Sequence, residues 1–382
     1  MNPECGPIRR PRASRSGNDQ VSRTVRTFRF PPIDRVVHGP GAVGDVPAIV
    51  DALGARRVMI VTGNSLATGT DHIGALERAL GARHVGTFAR MRAHAPRSDV
   101  DDAIARVAEC NADLLIGYGG SSVTDATKIV AVRARAEPIP HVLVPTTLSS
   151  GEWTPASGMT GDVPGVKTYV VDPAMAPFAI VLDPEITLTT PMDLWLSTGV
   201  KAIDHGCEAM WGPRAHPFTD ALATEAIRAL RVSLPRTHGA PHDLDARLTS
   251  QIGGWMSMAG VVNVRVHLSH TLGHQIGARW EVPHGLTSGI TLAPVMRYLE
   301  AENPDGVQKV AAAFDAASVT AGADAITALA ESLGLPIRLR DVGADRADFR
   351  AVAEATLAAG HATGYLPTGG ADTLVTLLES MY

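Results

Sequence analysis

From Phe28 to about residue 190, short apolar runs alternate with stretches whose apolar residues recur every three or four positions. The runs are too short for helices and too continuously apolar for a half-exposed sheet, so they predict strands buried on both faces. RVMIVTG (57–63), ADLLIGYGG (112–120) and HVLVPTT (141–147) are of this kind. DHIGALERAL (71–80) and SDVDDAIARVAEC (98–110) have helical spacing, the second with Ser98 or Asp99 expected as its N-cap. Strands alternating with helices predict parallel crossover units, and hence an open α/β sheet of dinucleotide-binding type. GMTGDVPGVKTYVVDP and FAIVLDP, between residues 158 and 184, read as a hairpin or extended pair closing this half.

After about Pro191 the strand-like runs cease. LWLSTGVKAIDHGCEAMW, FTDALATEAIRALRVSL, LDARLTSQIGGWMSMAGVV, LTSGITLAPVMRYL and the segments to Tyr382 carry helical periodicity, punctuated by Pro and Gly. The expected organisation is an extension over 1–27, an α/β dinucleotide-binding domain over 28–188 and an all-α domain over 189–382. No long linker separates the halves, so a cleft is expected near 185–190, where small ligands commonly bind.

Composition narrows the function. With a net charge of −5 and scattered basic residues, the chain has no field for nucleic acid. No apolar run is long enough to span a bilayer. Cys5, Cys110 and Cys207 are too few and too scattered for a disulfide framework or thiolate metal site, which suits a reducing cytoplasm. Residues 1–27 are rich in Arg, Ser, Pro and Gly, and are expected to form a disordered, solvated extension.

Two stretches carry the chemistry. LLIGYGGSSVTDATKIVAV joins a strand to a helix through Gly117, Gly119, Gly120, Ser121 and Ser122, so its backbone can approach a pyrophosphate at the positive end of the helix. Asp125 and Lys128 follow on the first turns, where they can fix the loop or reach a ribose. Gly63, Asn64 and Ser65 occupy the turn where a carboxylate would hold an NAD ribose, which leaves both NAD and NADP open. Thr146, Thr147, Ser149 and Ser150 offer hydroxyls at another strand end. In HLSHTLGHQIGARWEVPHG (267–285), His270 and His274 share one helix face, and His284 returns across a Pro-containing turn. Converging imidazoles make a metal site or an acid–base cluster.

Together, GYGGSSVTDATK (117–128), VPTTLSSGEWTP (144–155), LDPEITLTTPMDLWLSTGVKAIDHGCEA (182–209) and the histidine stretch resemble the iron-containing alcohol dehydrogenase family, near its maleylacetate reductase branch. That resemblance implies the dehydroquinate synthase-like fold and a small-molecule reductase or dehydrogenase using NAD or NADP, commonly homodimeric. It places Gly119, Gly120, Ser121 and Ser122 in the diphosphate motif, with Ser121 where a third glycine is usual. It puts Thr146, Thr147 and Leu148 beside the nucleoside, and Lys167 near the cofactor. It also matches His205, His270 and His284 to ligands of iron or zinc, and His274 to a substrate-side histidine.

The family's aspartate ligand corresponds to Lys201, whose ammonium cannot ligate and repels a cation. Lys201 is accordingly expected to stabilise the developing anion beside His270, with His274 as proton donor and a carboxylate-bearing substrate favoured. Asp204, three residues on, is placed to pair with Lys201. Trp153 and Trp280 are expected in core packing more than in pocket walls. A redox-neutral synthase or cyclase on the same scaffold, a metal-dependent alcohol dehydrogenase and a catalytically dead binding protein are the competing readings.

Overall fold

The computed structural model describes residues 27–161, 167–259, 261–265, 267–363, 365 and 367–382. All but the last residue of the expected N-terminal extension lies outside them. Strands β1 (Arg35–His38), β2 (Val58–Val61), β3 (His84–Phe88), β4 (Leu114–Gly119), β5 (His141–Pro145) and β8 (Ala179–Leu182) form one parallel sheet in the order β1-β8-β5-β4-β2-β3. β2, β4, β5 and β8 are buried along their whole length, as continuous apolar runs covered on both faces require. One face packs Val58, Ile60, Leu114, Ile116, Val142 and Val144, and the other packs Met59, Val61, Leu115, Ile129 and Val130. The chain moves outward from β2 to β3, then returns to β4 on the other side of β2. The reversal opens a crevice at the C-terminal ends of β2 and β4, the place where open α/β sheets bind ligands.

β6 (Ala156–Thr160) and β7 (Lys167–Val171) pair antiparallel as a separate hairpin. FAIVLDP is not part of that closure. It supplies β8, paired with β1 and β5 inside the main sheet. A four-residue apolar strand takes its energy from burial on both faces, and nothing local tells it from a hairpin arm. The N-cap expectation also fails. The helix Arg97–Cys110 starts after Pro96, and Asp99 instead accepts from the backbone and side chain of Arg92. Pro fixes the entry φ, and the guanidinium outcompetes an amide for the carboxylate.

The second half consists of helices around a core that includes Trp195, Ile203, Trp211, Ile227, Leu230, Leu272, Ile290 and Met296. Three helices build the floor of the cleft: Met192–Trp211, Leu268–Trp280 and His284–Leu299. The first is buried along nearly its whole length, polar residues included. The halves are pinned together by Thr190 Oγ1 donating to the Thr146 carbonyl (2.8 Å) and by the Leu148 amide donating to Thr198 Oγ1 (3.1 Å). Buried Arg247 adds bonds to Thr187 O (2.9 Å) and Pro241 O (2.7 Å) while lying over the Trp195 ring. Among the described residues, no helix is long and apolar enough to cross a membrane.

Candidate active site

A cleft of about 740 Å³ runs from the ends of β2 and β4 down to the three floor helices. Its upper wall holds Gly63, Ser65, Gly119, Gly120, Ser121, Ser122, Asp125, Thr146, Thr147 and Ser149, so the residues expected to hold a dinucleotide face one space. The helix Ser121–Arg133 begins immediately after Gly120 and presents its positive end there. A Cβ on Gly119 would stand 2.8 Å from Val123 Cγ2, so the glycine lets the end of β4 pack directly against the first turn of that helix.

One expected contact falls elsewhere. Leu148 is 2% exposed and packs with Trp195 and Leu196 in the helical core rather than lining the cleft. Its amide is held by Thr198, so the residue serves the joint between the halves. The Lys167 side chain lies outside the described residues. Lys128 is fully buried and donates to the carbonyls of Gly151 (2.7 Å), Thr154 (3.0 Å) and Ala156 (2.5 Å), so it fixes the loop and does not reach a ribose. Burial lowers its pKa against the opposing charges of Asp125 and Glu152. Of the two tryptophans, Trp153 stacks on Trp255 at 4.9 Å and Trp280 meets Phe349 edge-on. Neither lines the cleft.

At the floor, helical spacing does the positioning. His270 and His274 point from one face of Leu268–Trp280, and His284 opens the next helix, with ring centroids 4.3–4.9 Å apart. One nitrogen from each of the three lies within 4.8 Å of the others. These are the three imidazoles that the stretch 267–285 was expected to bring together; of the set matched to the family's ligands, His205 sits to one side, its ring 5.6 Å from that of His270. Burial, with the Lys201 charge second, drops the His205 pKa to about 3, so its imidazole is neutral.

Lys201 meets this cluster from the helix Met192–Trp211. Its Nζ lies 2.8 Å from Asp204 Oδ2 and 2.8 Å from His270 Nδ1, and both Lys201 and His270 line the cleft. Asp204 is completely buried and also accepts from Ser288 Oγ at 2.7 Å. Burial pushes its carboxyl upward, but the Lys201 charge and hydrogen bond, with Ser288, outweigh it and hold the pKa below the usual value. An ammonium donor saturates His270 Nδ1, leaving that ring's remaining nitrogen to carry the proton. One turn further along, Glu208 accepts from the amides of His267 and His270, anchoring the start of the histidine helix. Burial and the Asp204 charge push Glu208 up to about 8.

Sequence reasoning missed Tyr169. From β7 its hydroxyl reaches His274, 2.8 Å from Nδ1 and 3.4 Å from Nε2, with the two rings nearly parallel. Desolvation of the hydroxyl, then Asp125, raises its pKa to about 12, so it keeps its proton. Only the hairpin register, which sets Tyr169 opposite Gly158, could have revealed it.

Comparison with known proteins matches this arrangement along the chain. The profile described as "Iron-containing alcohol dehydrogenase" matches residues 32–184, and that described as "Fe-containing alcohol dehydrogenase family, C-terminal" matches residues 195–382. A maleylacetate reductase of Pseudomonas aeruginosa is 31% identical over 340 residues, 87% of this chain and 91% of that protein. One from Burkholderia cepacia is 30% identical over 322 residues, covering 84% of this chain and 88% of the other. The crystal structure of maleylacetate reductase from Agrobacterium tumefaciens superposes with a TM-score of 0.84 at 27% identity, covering 94% of this chain and 98% of that one. With family models matching both halves and relatives at 30% identity or more over most of the length, the chain belongs to the iron-containing alcohol dehydrogenase family and is an NAD(P)-dependent oxidoreductase.

Proposed function

We propose that this enzyme reduces a carbonyl or carbonyl-activated alkene on a small carboxylate-bearing substrate, as its maleylacetate reductase relatives do by name, with Lys201 in place of a divalent ion. The observation that carries the reading is the Lys201 ammonium at the cleft floor, bonded at once to Asp204 and His270. An ion centred on the histidines would find no carboxylate among them, because Asp204 is committed to Lys201 and Ser288. It would also meet a fixed positive charge 2.8 Å from one would-be ligand. On this reading the Lys201 ammonium takes the place of an ion at the histidine floor.

Gly119, Gly120, Ser121 and Ser122 would hold the pyrophosphate of a dinucleotide, and Thr146, Thr147 and Ser149 its neighbouring groups. Reduced nicotinamide, when bound, supplies a hydride. Hydride addition to a carbonyl, or to the far carbon of a conjugated alkene, places negative charge on oxygen. Lys201 retains one N–H beyond those given to Asp204 and His270, and a preorganised donor is worth most where charge develops. His274, on the cleft side of the cluster, is assigned the proton that completes the product. The enzyme is further read as a cytoplasmic homodimer, an assembly that light scattering on the purified protein tests.

The test is oxidation of NADH and NADPH by purified, chelator-treated protein offered 2-oxo acids, maleylacetate and simple aldehydes. The reading expects turnover with the acids and a loss of about 10²-fold or more in kcat/KM for Lys201→Met. Turnover that appears only after iron or zinc is restored would overturn it.

A further inference from the structure

The hairpin belongs to the nucleotide-binding half, yet its Tyr169 touches the histidine that the proposed function makes the proton donor. Three features of this contact are independent of one another. The register sets Tyr169 opposite Gly158, and a Cβ on Gly158 would lie 3.4 Å from Tyr169 Cε1, so the missing side chain leaves room for the ring to fold across the hairpin. The phenol lies within 8° of parallel to the His274 imidazole at 5.7 Å, which fixes the plane of that ring. The hydroxyl then reaches the nearer ring nitrogen at 2.8 Å. Tyr169, Gly158 and His274 all line the same cleft.

The geometry points to Tyr169 as a positioning residue for His274, holding the imidazole in a single orientation through both protonation states of the catalytic cycle. The chemistry of the pair explains why a hydroxyl suits this place. A proton donor starts the step as imidazolium and ends it as neutral imidazole. In the first state its Nδ1–H needs an acceptor, and in the second the bare nitrogen needs a donor. A carbonyl satisfies only the first, whereas a hydroxyl satisfies both by rotating its own proton. In the step itself the Nε2–H bond of His274 breaks, and a lone pair of the substrate oxyanion forms the new O–H bond. Throughout, the Tyr169 hydroxyl keeps its place against the ring, 2.8 Å from Nδ1 and 3.4 Å from Nε2.

This inference rests on His274 as proton donor, and a double-mutant cycle separates the two. Tyr169→Phe keeps the ring over Gly158 and removes the oxygen alone. It is expected to lower kcat about tenfold, one hydrogen bond's worth of alignment, while nicotinamide affinity by fluorescence titration stays unchanged. His274→Asn is expected to lower kcat further, and adding Tyr169→Phe to it should cost nothing more, since the tyrosine acts through the imidazole. A slow His274→Asn beside a fully active Tyr169→Phe overturns the inference and leaves the donor assignment standing. So does a tenfold loss that persists undiminished in the double variant. A fully active His274→Asn overturns both.

Discussion

Replacing Lys201 by Met should separate what the buried charge does for stability from what it does for turnover. In the native fold Asp204 is 0% exposed, its Oδ2 is shared by Lys201 and Ser288, and its Oδ1 has no donor among the described residues. Without the ammonium, that carboxylate keeps one hydroxyl donor. Removing one member of a buried ion pair costs about 3–5 kcal/mol, because the survivor's desolvation is no longer offset. Lys201→Met/Asp204→Asn removes both charges and should recover all but about 1 kcal/mol in urea unfolding, yet stay as slow as the single variant. The pH dependence has a definite sign. In the wild type the Asp204 pKa lies below its ordinary value of 3.8, so its contribution is present above that value and lost as pH falls through the folded pKa. In Lys201→Met burial outweighs the remaining Ser288 hydrogen bond and lifts the pKa, so the deficit relative to wild type should shrink on acidification from about pH 8 to about pH 5. A single variant as stable as wild type, or a double variant no better than the single, would refute the reasoning.

Three buried histidines predict early acid sensitivity. Burial, aided by Lys201 at His205 and by Lys128 at His141, lowers the pKa to about 3 for His205 and about 4 for His141 and His267. The unfolded chain takes up these three protons below about 6.5 while the fold refuses them, but Glu208 (about 8) and Glu152 (about 7) hold two protons in the fold that the unfolded chain releases above about 4.5, so stability should fall by a net of about 1.4 kcal/mol per pH unit between roughly pH 6 and pH 5. His141→Gln should take about 1.4 kcal/mol per pH unit from that slope, leaving it close to flat. Gly285→Ala would place a Cβ 2.9 Å from the backbone of Ser197, forcing the helix that begins with His284 away from the helix of Lys201. Overpacking of this kind costs about 1–3 kcal/mol, and kcat should fall with it; unchanged unfolding and turnover would show that the contact relaxes freely. Lys201→Asp should raise the iron or zinc retained after dialysis, measured by mass spectrometry, whereas the wild type should keep its activity in chelator.

The sequence was most legible where energy comes from local pattern. β2, β4 and β5 could be read because two-sided burial demands unbroken apolar runs, and the glycine loop because a tight approach at a helix start demands it. The Lys201–Asp204 pair was readable too, since i,i+3 spacing on one helix forces proximity. Non-local geometry was not. FAIVLDP resembles a hairpin arm until β1 and β5 are seen on either side of it. His205, matched to the family's ligands by resemblance, stands apart from His270, His274 and His284, a result of how three helices cross. Leu148 sits in a tract read as nucleoside-facing, yet its side chain turns to the helical core because bulk apolar surface gains most there. Tyr169 had no signal at all without the register of a two-stranded hairpin.

Lys128 carries an implication for how this scaffold tolerates change. One sequestered ammonium fixes the path of 151–156 by gripping three main-chain oxygens, which every amino acid possesses. The loop's shape is thereby written into a residue outside the loop. Glu152 and Trp153 stay buried in the loop, but Thr154 and Ala156 face the cleft, so mutation there can retune its roof while the backbone stays where it is, and new specificities become accessible without refolding the wall that carries them.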